Sequence, residues 1–383
     1  MKLIFSPAAI LLFTTPLISA ELREERQPIV VHEWGTFTSV ATETGNPARW
    51  APLSGPGDLP CFVARLGPPS FKDVASGLVR METPVLYFYA KSPATVSVRV
   101  GFPEGWITEW YPNATRVSPE SVGATPRRFS DGQIRWDNVQ VMPGQNPHLP
   151  VTQGASHYFA ARETDSSPIR IGDQWEKLIF YRGVADFSIP LRPVITSEGR
   201  VKITNAGPEG FGTVILFENR EGRMGYRLTS NVKTTAELDF PELTGNIAEL
   251  RDRLANVLVE SGLYKKEADA MLETWSDSWF EEGMRLIYLV PREMVDRVLP
   301  LDVQPSPSAV ARVFVGRVEM LSPGTHQRID SLAAANDVKG LQQIGRFLGP
   351  FVMQMERTEA GRQRPAAIQS VFRSPRVSPG CVN

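Results

Sequence analysis

Apolar and polar residues alternate with a period of two along most of the first 230 residues. The stretch ATVSVRV at residues 94–100 carries valine at alternate positions, which is typical of a strand with one buried face. Pairs such as Asp131-Gly132 and Glu198-Gly199 lie between such runs and provide the left-handed residues that hairpin turns need. We predict strands over residues 29–40, 85–90, 94–100, 106–111, 134–141, 157–163, 177–183, 194–197, 201–204, 213–218 and 226–229. About eleven short strands at this spacing predict an antiparallel β-sandwich-like domain over residues 21–235.

The hydrophobic period changes to that of helices near residue 240. Asn246 can cap a helix with Glu249 three positions later, and Gly262 can end it. A second amphipathic helix follows and ends near Gly283. We also predict strands over residues 285–290 and 311–321 and a helix over residues 329–348. The sequence therefore predicts a smaller α+β domain over residues 240–355, a C-terminal tail over residues 356–383, and a β-rich, α+β fold overall.

Composition places the chain among ordinary globular proteins. Hydrophobic residues make up 42% of its 383 residues and charged residues 22%, so neither a disordered chain nor a coiled coil fits. The formal net charge is −1 at pH 7, which favours neither nucleic acid nor an anionic membrane as a partner. The 30 glycines and 32 prolines agree with a fold that has many turns.

The N-terminus has the pattern of a secretory signal. Lys2 precedes an apolar run over residues 3–18, and the small residues Ser19 and Ala20 follow it. We predict a signal peptide over residues 1–20 and no membrane span after its cleavage, because the run is short and contains two prolines. The protein is then exported and periplasmic or extracellular. In such a compartment Cys61 and Cys381, the two cysteines, either form a disulfide or remain two thiols.

The densest group of polar residues lies at residues 30–38. In a strand His32, Trp34 and Thr36 share one face and Glu33 points to the other. His32 and Glu33 therefore address one site only if a bulge at Gly35 redirects them. A functional interpretation makes His32 and Glu33 catalytic candidates and Trp34 and Thr36 binding candidates. The alternative is a histidine that is hydrogen-bonded at a sheet edge.

Two routes to hydrolysis remain open. His32, His148 and His157 provide the three ligands of a zinc site if the fold brings them together, and otherwise His148 and His157 are loop residues. A carboxylate-based mechanism would use Glu33 or Glu82. The sequence has no HExxH, GxSxG or Walker motif, and it identifies no cofactor.

Aromatic residues offer a binding surface. Trp106, Thr108 and Trp110 share one face of a predicted strand, and a flat aromatic surface of this kind stacks on sugar rings or anchors a protein partner. Burial in the core of a sandwich is the alternative. Arg182 lies near a strand end, where it binds a carboxylate of a ligand or pairs with an acid such as Asp186.

Three segments resemble one family of exported bacterial proteins. These are VHEWGTFTSV, EKLIFYRGV and YKKEADAMLETWSDSWFEEGMRLIYLVP, and the resemblance spans residues 30–320. It implies export from a bacterial cell, and it brings no activity, cofactor or catalytic residue with it. In the third segment Glu281 and Glu282 follow a helix C-terminus, which is unfavourable unless they are paired, for example with Arg285.

The absence of catalytic motifs and the clustered tryptophans favour a binding function. We expect an exported protein of the bacterial envelope that binds a polysaccharide or a protein partner. The alternative is a secreted hydrolase, either metal-assisted through His32 or carboxylate-based.

Overall fold

The computed structural model describes residues 28–54, 59–68, 71, 75–122, 128–152, 156–358 and 365–373. A large mixed sheet forms its centre. The strands of this sheet are β1 (Val30–Val40), β2 (Ala64–Arg65), β3 (Val79–Tyr89), β5 (Gly105–Tyr111), β10 (Ile179–Ala185), β13 (Phe211–Arg220), β14 (Arg223–Val232), β16 (Gly283–Leu289) and β18 (Ala309–Met320). They lie in the order β14-β13-β16-β18-β1-β3-β10-β5-β2. Only β1 and β18 run parallel, and the other neighbours are antiparallel.

Two smaller sheets cover one face of the central sheet. One contains β4 (Ala94–Phe102), β6 (Arg116–Ser118), β7 (Gly132–Val141), β8 (Ile169–Ile171), β9 (Gln174–Glu176) and β17 (Leu301–Gln304). The other contains β11 (Leu191–Ile195), β12 (Arg200–Asn205) and β15 (Thr235–Asp239). Apolar side chains from all three sheets form one hydrophobic core. The face of the central sheet that takes part in it is called the sandwich face below.

Helices cover the opposite face, called the helix face below. They are α1 (Ile247–Glu260), α2 (Lys265–Thr274) and a 3-10 helix (Phe159–Arg162), and their apolar residues form a second core with Trp34, Tyr87 and Ile287 of the sheet. The predicted cap of α1 is confirmed, because the Asn246 side chain accepts a hydrogen bond from the Ala248 amide at 2.9 Å. The short helix α3 (Arg292–Val298) precedes β17.

A third core lies beside the end of β1. It is formed by α4 (Pro323–Ala334), α5 (Val338–Gln343), a 3-10 helix (Gly345–Phe347), α6 (Leu348–Thr358) and α7 (Ala366–Arg373), together with Val40 and Trp50. Residues 356–383 were predicted to be a tail, but Ala367 and Ile368 of α7 are buried in this core. The tail prediction is therefore wrong for α7, whose apolar residues were not recognised as a helix face.

The predicted fold class is confirmed: the protein is β-rich and α+β, with a sandwich of sheets. Strands on both sides of residue 240 share the central sheet, since β16 and β18 lie between β13 and β1. The division into residues 21–235 and 240–355 therefore describes the order of elements along the chain. The predicted signal peptide lies outside the described residues. Within the described ranges, no helix is both long and apolar enough to cross a bilayer.

Candidate functional site

Strand β1 presents different chemistry to the two faces of the sheet, as its alternation predicts. Trp34 belongs to the core of the helix face and Phe37 to the core of the sandwich face. Thr36 shares the parity of Trp34 and faces Glu82 of β3 in the strand register. The candidate residues His32, Trp34 and Thr36 therefore lie on the helix face, and Glu33 lies on the sandwich face.

A bulge lies beside Gly35, but the irregular strand is β3. The register of β1 with β18 is continuous, whereas its register with β3 shifts between Trp34 and Thr36. Thr83, in the bulge, has a φ of 47°, which is unusual for a β-branched residue. A Cβ atom at position 35 would lie 3.1 Å from the Pro84 Cα and 2.7 Å from the Phe314 ring. Glycine is thus required at position 35 because the bulge approaches it closely.

The irregularity continues into the next two strands. The register of β10 shifts between Phe180 and Gly183 against β3, and between Arg182 and Gly183 against β5. Bulges redirect side chains and are common beside functional sites. Here they bring Arg182 opposite Glu109 of β5, and both residues are buried. Arg182, a predicted ligand-binding residue, thus belongs to the interior of the helix face, and the suggested acid Asp186 pairs with Arg49 instead.

Glu82 is a buried, ionised carboxylate. Its Oε2 atom lies 3.3 Å from Nη1 of Arg346 and 3.6 Å from Nε of Arg80. Burial on its own raises the pKa of Glu82, but the charges of Arg346, Arg80 and Arg317 and the nearby Thr38 hydroxyl outweigh it and lower the pKa to about 2. Glu82 therefore carries a negative charge at neutral pH and is a poor general acid.

Several polar atoms at Glu82 and in the segment after α2 are buried without a hydrogen-bond partner in the described part of the chain, and the Thr38 hydroxyl beside Glu82 is one of them. Four others are Oε1 of Glu82 and the side-chain donors of Thr36, Thr83 and Trp279. The exposed fractions of these residues are 2%, 1%, 2% and 0%. We call this group the polar centre. An unsatisfied buried group costs about 1–3 kcal/mol, so a group of them is a candidate position for the polar atoms of a ligand.

A segment after α2 covers the polar centre. Residues 275–282 follow the last turn of the helix, and two arginines of the sheet hold this segment down. Arg285 donates to the backbone oxygens of Trp279 at 2.9 Å and Glu281 at 2.7 Å. Arg317 donates to the Ser278 backbone oxygen at 2.8 Å and pairs with the Glu281 carboxylate at 2.5 Å. The covering segment is therefore fixed through its backbone.

The partner predicted for the acids of this segment was wrong in part. The Glu281 carboxylate pairs with Arg317, although its backbone oxygen does accept from Arg285. Arg285 instead pairs with Glu319 at 2.9 Å. Arg317, Glu319 and Arg346 were missed by sequence reasoning. Arg317 and Glu319 pair with each other two positions apart, but their other partners, and the partner of Arg346, lie in distant parts of the chain. Alternation along β18 places Arg317 and Glu319 on one face, and this was the one available signal.

Glu33 has a different environment on the sandwich face. The Tyr181 hydroxyl donates to its Oε1 atom, and Arg312 donates from Nε to its Oε2 atom at 2.5 Å. Arg312 also pairs with Asp296 at 2.7 Å and donates to the Leu299 backbone oxygen at 2.7 Å. Both oxygens of Glu33 thus have partners. The catalytic interpretation of Glu33 therefore gains no support, and its contacts tie β1, β10, α3 and β18 together.

His32 is held by a carboxylate that sequence reasoning did not identify. Its Nδ1 atom lies 2.7 Å from Oε2 of Glu267, which is fully buried. Glu267 also accepts from the Tyr89 hydroxyl at 2.8 Å and from the Tyr264 amide at 2.7 Å. The ring of His32 packs on that of Tyr264, with 4.4 Å between centroids. These contacts join β1 and β3 to the first turn of α2, which favours a structural role for His32.

The predicted three-histidine metal site is wrong for the residues that the structure describes. His148 is exposed in a loop. Nδ1 of His157 lies 2.7 Å from the Thr274 backbone oxygen, and its Nε2 lies 3.4 Å from Asp277. Across the described ranges, no three His, Cys, Asp or Glu side chains are arranged to hold a metal ion. The three histidines contact different parts of the fold, because the strand and loops that carry them do not come together.

The predicted aromatic surface on β5 is also wrong. The register shift around Thr108 places Trp110 against the sandwich core, whereas Trp106 packs against a separate small core. Trp106 stacks with Phe71 and donates to the Ser130 backbone oxygen at 2.8 Å. The two tryptophans thus lie on opposite faces, since the bulge at Thr108 breaks the alternation. Both tryptophans are half-buried, Trp110 at the edge of the sandwich core and Trp106 at the edge of the separate small core.

The pairing of the two cysteines stays a prediction. Cys61 lies in the described loop before β2, and Cys381 lies outside the described residues.

Comparison with known proteins gives little further guidance. No protein-family model matches the chain, and no curated protein is significantly similar to it. Among solved structures, it is similar to the yeast delta-COP-I mu-homology domain, alone and in complex with a Dsl1 WxWxV peptide. Both alignments have 9% sequence identity and a TM-score of 0.31, and they cover 77% of this chain and 98% of that chain. A similarity at this level carries no argument about the fold or the function of this protein.

Proposed function

We propose that the protein is a binding protein of the bacterial envelope and that its polar centre holds a hydroxyl-bearing ligand, such as one sugar unit of a polysaccharide. The observation that carries this proposal is the set of unpartnered buried atoms on Glu82, Thr36, Thr83 and Trp279. Their inward position beneath the covering segment separates them from ordinary surface polar groups.

The chemistry of these four atoms favours a hydroxylated ligand. Oε1 of the ionised Glu82 can only accept a hydrogen bond, and the Trp279 indole can only donate one. The hydroxyls of Thr36 and Thr83 can do either. A sugar hydroxyl both donates and accepts, so it matches the hydrogen-bonding capacity of each of these groups.

The approach to the polar centre is from the side of Arg346. Its side chain is 16% exposed, compared with 7% for Arg80 and 2% for Glu82. Arg346 also lies 3.4 Å from the Ser278 hydroxyl of the covering segment. A ligand that reaches Glu82 from solvent therefore meets the Arg346 guanidinium first, and this enclosed position favours a terminal unit of a polymer as the ligand.

The hydrolase alternative is less well supported. With a pKa of about 2, Glu82 does not hold a proton for a leaving group at neutral pH. Glu33 has partners on both oxygens, and His32 is bound by Glu267. The surviving enzyme hypothesis would use Glu82 as an ionised base or nucleophile.

Calorimetric titration of the mature protein tests the proposal. The probes are monosaccharides and short oligosaccharides derived from bacterial envelope polymers. We expect one of them to bind, and Thr36→Val to weaken its binding about tenfold, since one hydrogen bond is lost. Thr164→Val is the control, because the buried Thr164 hydroxyl already pairs with Ser166 at 2.9 Å.

Two outcomes would contradict this function. If no hydroxylated probe binds, the proposed class of ligand is wrong. If Thr36→Val and wild type bind a probe with equal affinity, the polar centre is not the binding site. Turnover of a glycoside or ester probe that disappears in Glu82→Gln would instead favour the hydrolase.

Export is part of the same proposal, and it rests on the apolar run at residues 3–18 and the small residues after it. Expression of the full chain in a bacterium, followed by cell fractionation and mass spectrometry, tests it. We expect the protein outside the cytoplasm, with Glu21 as its first residue. An intact N-terminus in the cytoplasmic fraction would contradict export.

A further inference from the structure

Strand β14 is an edge of the central sheet. It follows β13 through a hairpin and, among the described residues, pairs with no strand on its other side. An open edge presents unpaired backbone groups and is a template for the addition of another strand. Native proteins usually protect such edges, so the protection of β14 determines where a partner strand can bind.

The hairpin turn defines which backbone groups of β14 point outward. Glu221 and Gly222 both have positive φ, 52° and 76°, and Arg220 pairs directly with Arg223. In a two-residue hairpin of this type, the residues that flank the turn exchange hydrogen bonds. Arg223 and every second residue after it therefore bond to β13. The even-numbered residues, from Met224 to Ser230, point their backbone groups away from the sheet.

The first of these outward positions is already occupied. The Gly245 amide donates to the Met224 backbone oxygen at 2.7 Å. A Cβ atom on Gly225 would lie 2.0 Å from the Glu242 backbone oxygen, so the segment around residues 242–245 packs tightly on the start of β14. At the other end, the chain leaves the edge after Val232 and enters β15 of another sheet. The outward groups of Tyr226, Leu228 and Ser230 remain.

Tyr226 and Ser230 lie two positions before and two positions after Leu228, so the three outward residues are symmetric about Leu228. We propose that the open edge of β14 binds β14 of a second copy of this chain, antiparallel, around a twofold axis at Leu228. In this register Leu228 faces Leu228 of the second copy, and Tyr226 faces Ser230. The three residue pairs make about six backbone hydrogen bonds, because outward residues meet outward residues in every pair.

The side chains agree with this register. Leu228 is 41% exposed, which is high for a large apolar residue, and the pairing buries it against its copy. Arg227 faces Thr229, so no like charges oppose each other within the paired stretch. A register shifted by two residues would keep only two of the three pairs and would place each Leu228 opposite Tyr226 or Ser230 of the other copy. The register centred on Leu228 is thus the antiparallel pairing of two β14 strands that forms the most backbone hydrogen bonds.

Sedimentation of the mature chain from about 1 μM to about 1 mM tests the proposal, since a short strand interface gives weak association. We expect a monomer at the low end and a dimer at the high end. Leu228→Lys introduces two opposed charges at the axis and should keep the protein monomeric throughout. Val259→Lys is the control, because Val259 is 38% exposed on α1, and it should dimerise as wild type does.

A cysteine at the axis provides an independent test. In a hydrogen-bonded antiparallel pair the Cα atoms are about 5.5 Å apart, a distance that a disulfide spans. Leu228→Cys should therefore form a covalent dimer on oxidation, and Val259→Cys should not. A wild-type monomer at every concentration would overturn the proposal. So would a dimer that persists in Leu228→Lys and is not cross-linked through Leu228→Cys.

Discussion

Glu33 and Glu82 are two buried carboxylates on neighbouring strands of one sheet, and they differ in how their oxygens are satisfied. Glu33, on the sandwich face, has Arg312 on one oxygen and the Tyr181 hydroxyl on the other. Glu82, on the helix face, has arginines near Oε2 and no partner for Oε1 in the described part of the chain. Burial and an arginine neighbour are common to both.

The difference shows that burial alone does not identify a functional carboxylate. A buried ion pair whose hydrogen-bonding capacity is filled is a structural element. A buried carboxylate with an open oxygen beside two open hydroxyls is an incomplete network, and an incomplete network is expensive unless something else completes it. Glu33 therefore stabilises the fold, and Glu82 belongs to the site at which we propose that a ligand binds.

The largest effect is expected from removing the partner of Glu33. Arg312→Leu leaves the Glu33 charge buried and uncompensated, which should lower the free energy of unfolding by about 4 kcal/mol. Arg80→Leu should have a smaller effect, because Arg346 still lies 3.3 Å from Glu82. Urea unfolding of both variants measures the difference. Equal losses would mean that the two carboxylates depend on their arginines in the same way.

The next effect is the pH dependence that Glu82 contributes. The pKa of Glu82 is lowered from 4.5 to about 2, so its stabilisation is complete above about pH 4.5 and is lost as the pH falls towards 2. The loss between pH 5 and pH 2 should be about 3 kcal/mol. Unfolding of wild type and Glu82→Gln across this range measures it, and the variant should lack this part of the slope. The exposed Glu242→Gln is the control, and a Glu82→Gln slope equal to wild type would contradict the assignment.

Alternation along β1 correctly placed His32, Trp34 and Thr36 on one face of the strand and Glu33 on the other. The pattern around Trp34 and Phe37 defined both faces of β1, because one residue of each parity is a large apolar group. These features depend only on the local chain, and therefore the sequence contains them.

The partners of the site could not be predicted in the same way. The ion pairs of Arg317 with Glu281 and of Arg346 with Glu82 depend on the tertiary fold, and no local pattern gives them. The bulge at Thr83 has no sequence signal, because threonine disfavours a positive φ and nothing nearby indicates one. A separate bulge at Thr108 of β5 places Trp106 and Trp110 on opposite faces, although the alternation had predicted a shared face.

A smaller effect is expected at the bulge itself. Thr83→Gly relieves the positive φ of 47° and removes an unsatisfied hydroxyl, and these gains exceed the entropy that glycine loses on folding. The free energy of unfolding of the ligand-free protein should rise by about 1 kcal/mol. Thr204→Gly, in the regular strand β12, should lower it by about the same amount. A loss of stability in Thr83→Gly would show that the Thr83 hydroxyl is satisfied in the free protein.

The smallest effect, and the one that best separates the two kinds of buried polar group, is expected at Thr36. Valine has the shape of threonine without the hydroxyl, so Thr36→Val should raise the free energy of unfolding of the ligand-free protein by about 0.5 kcal/mol. Thr164→Val removes a hydroxyl that pairs with Ser166 and should lower it by about 1 kcal/mol. Opposite signs would show that the Thr36 hydroxyl has no partner until a ligand arrives. The same sign in both variants would place Thr36 with Glu33, among groups that the folded chain already satisfies.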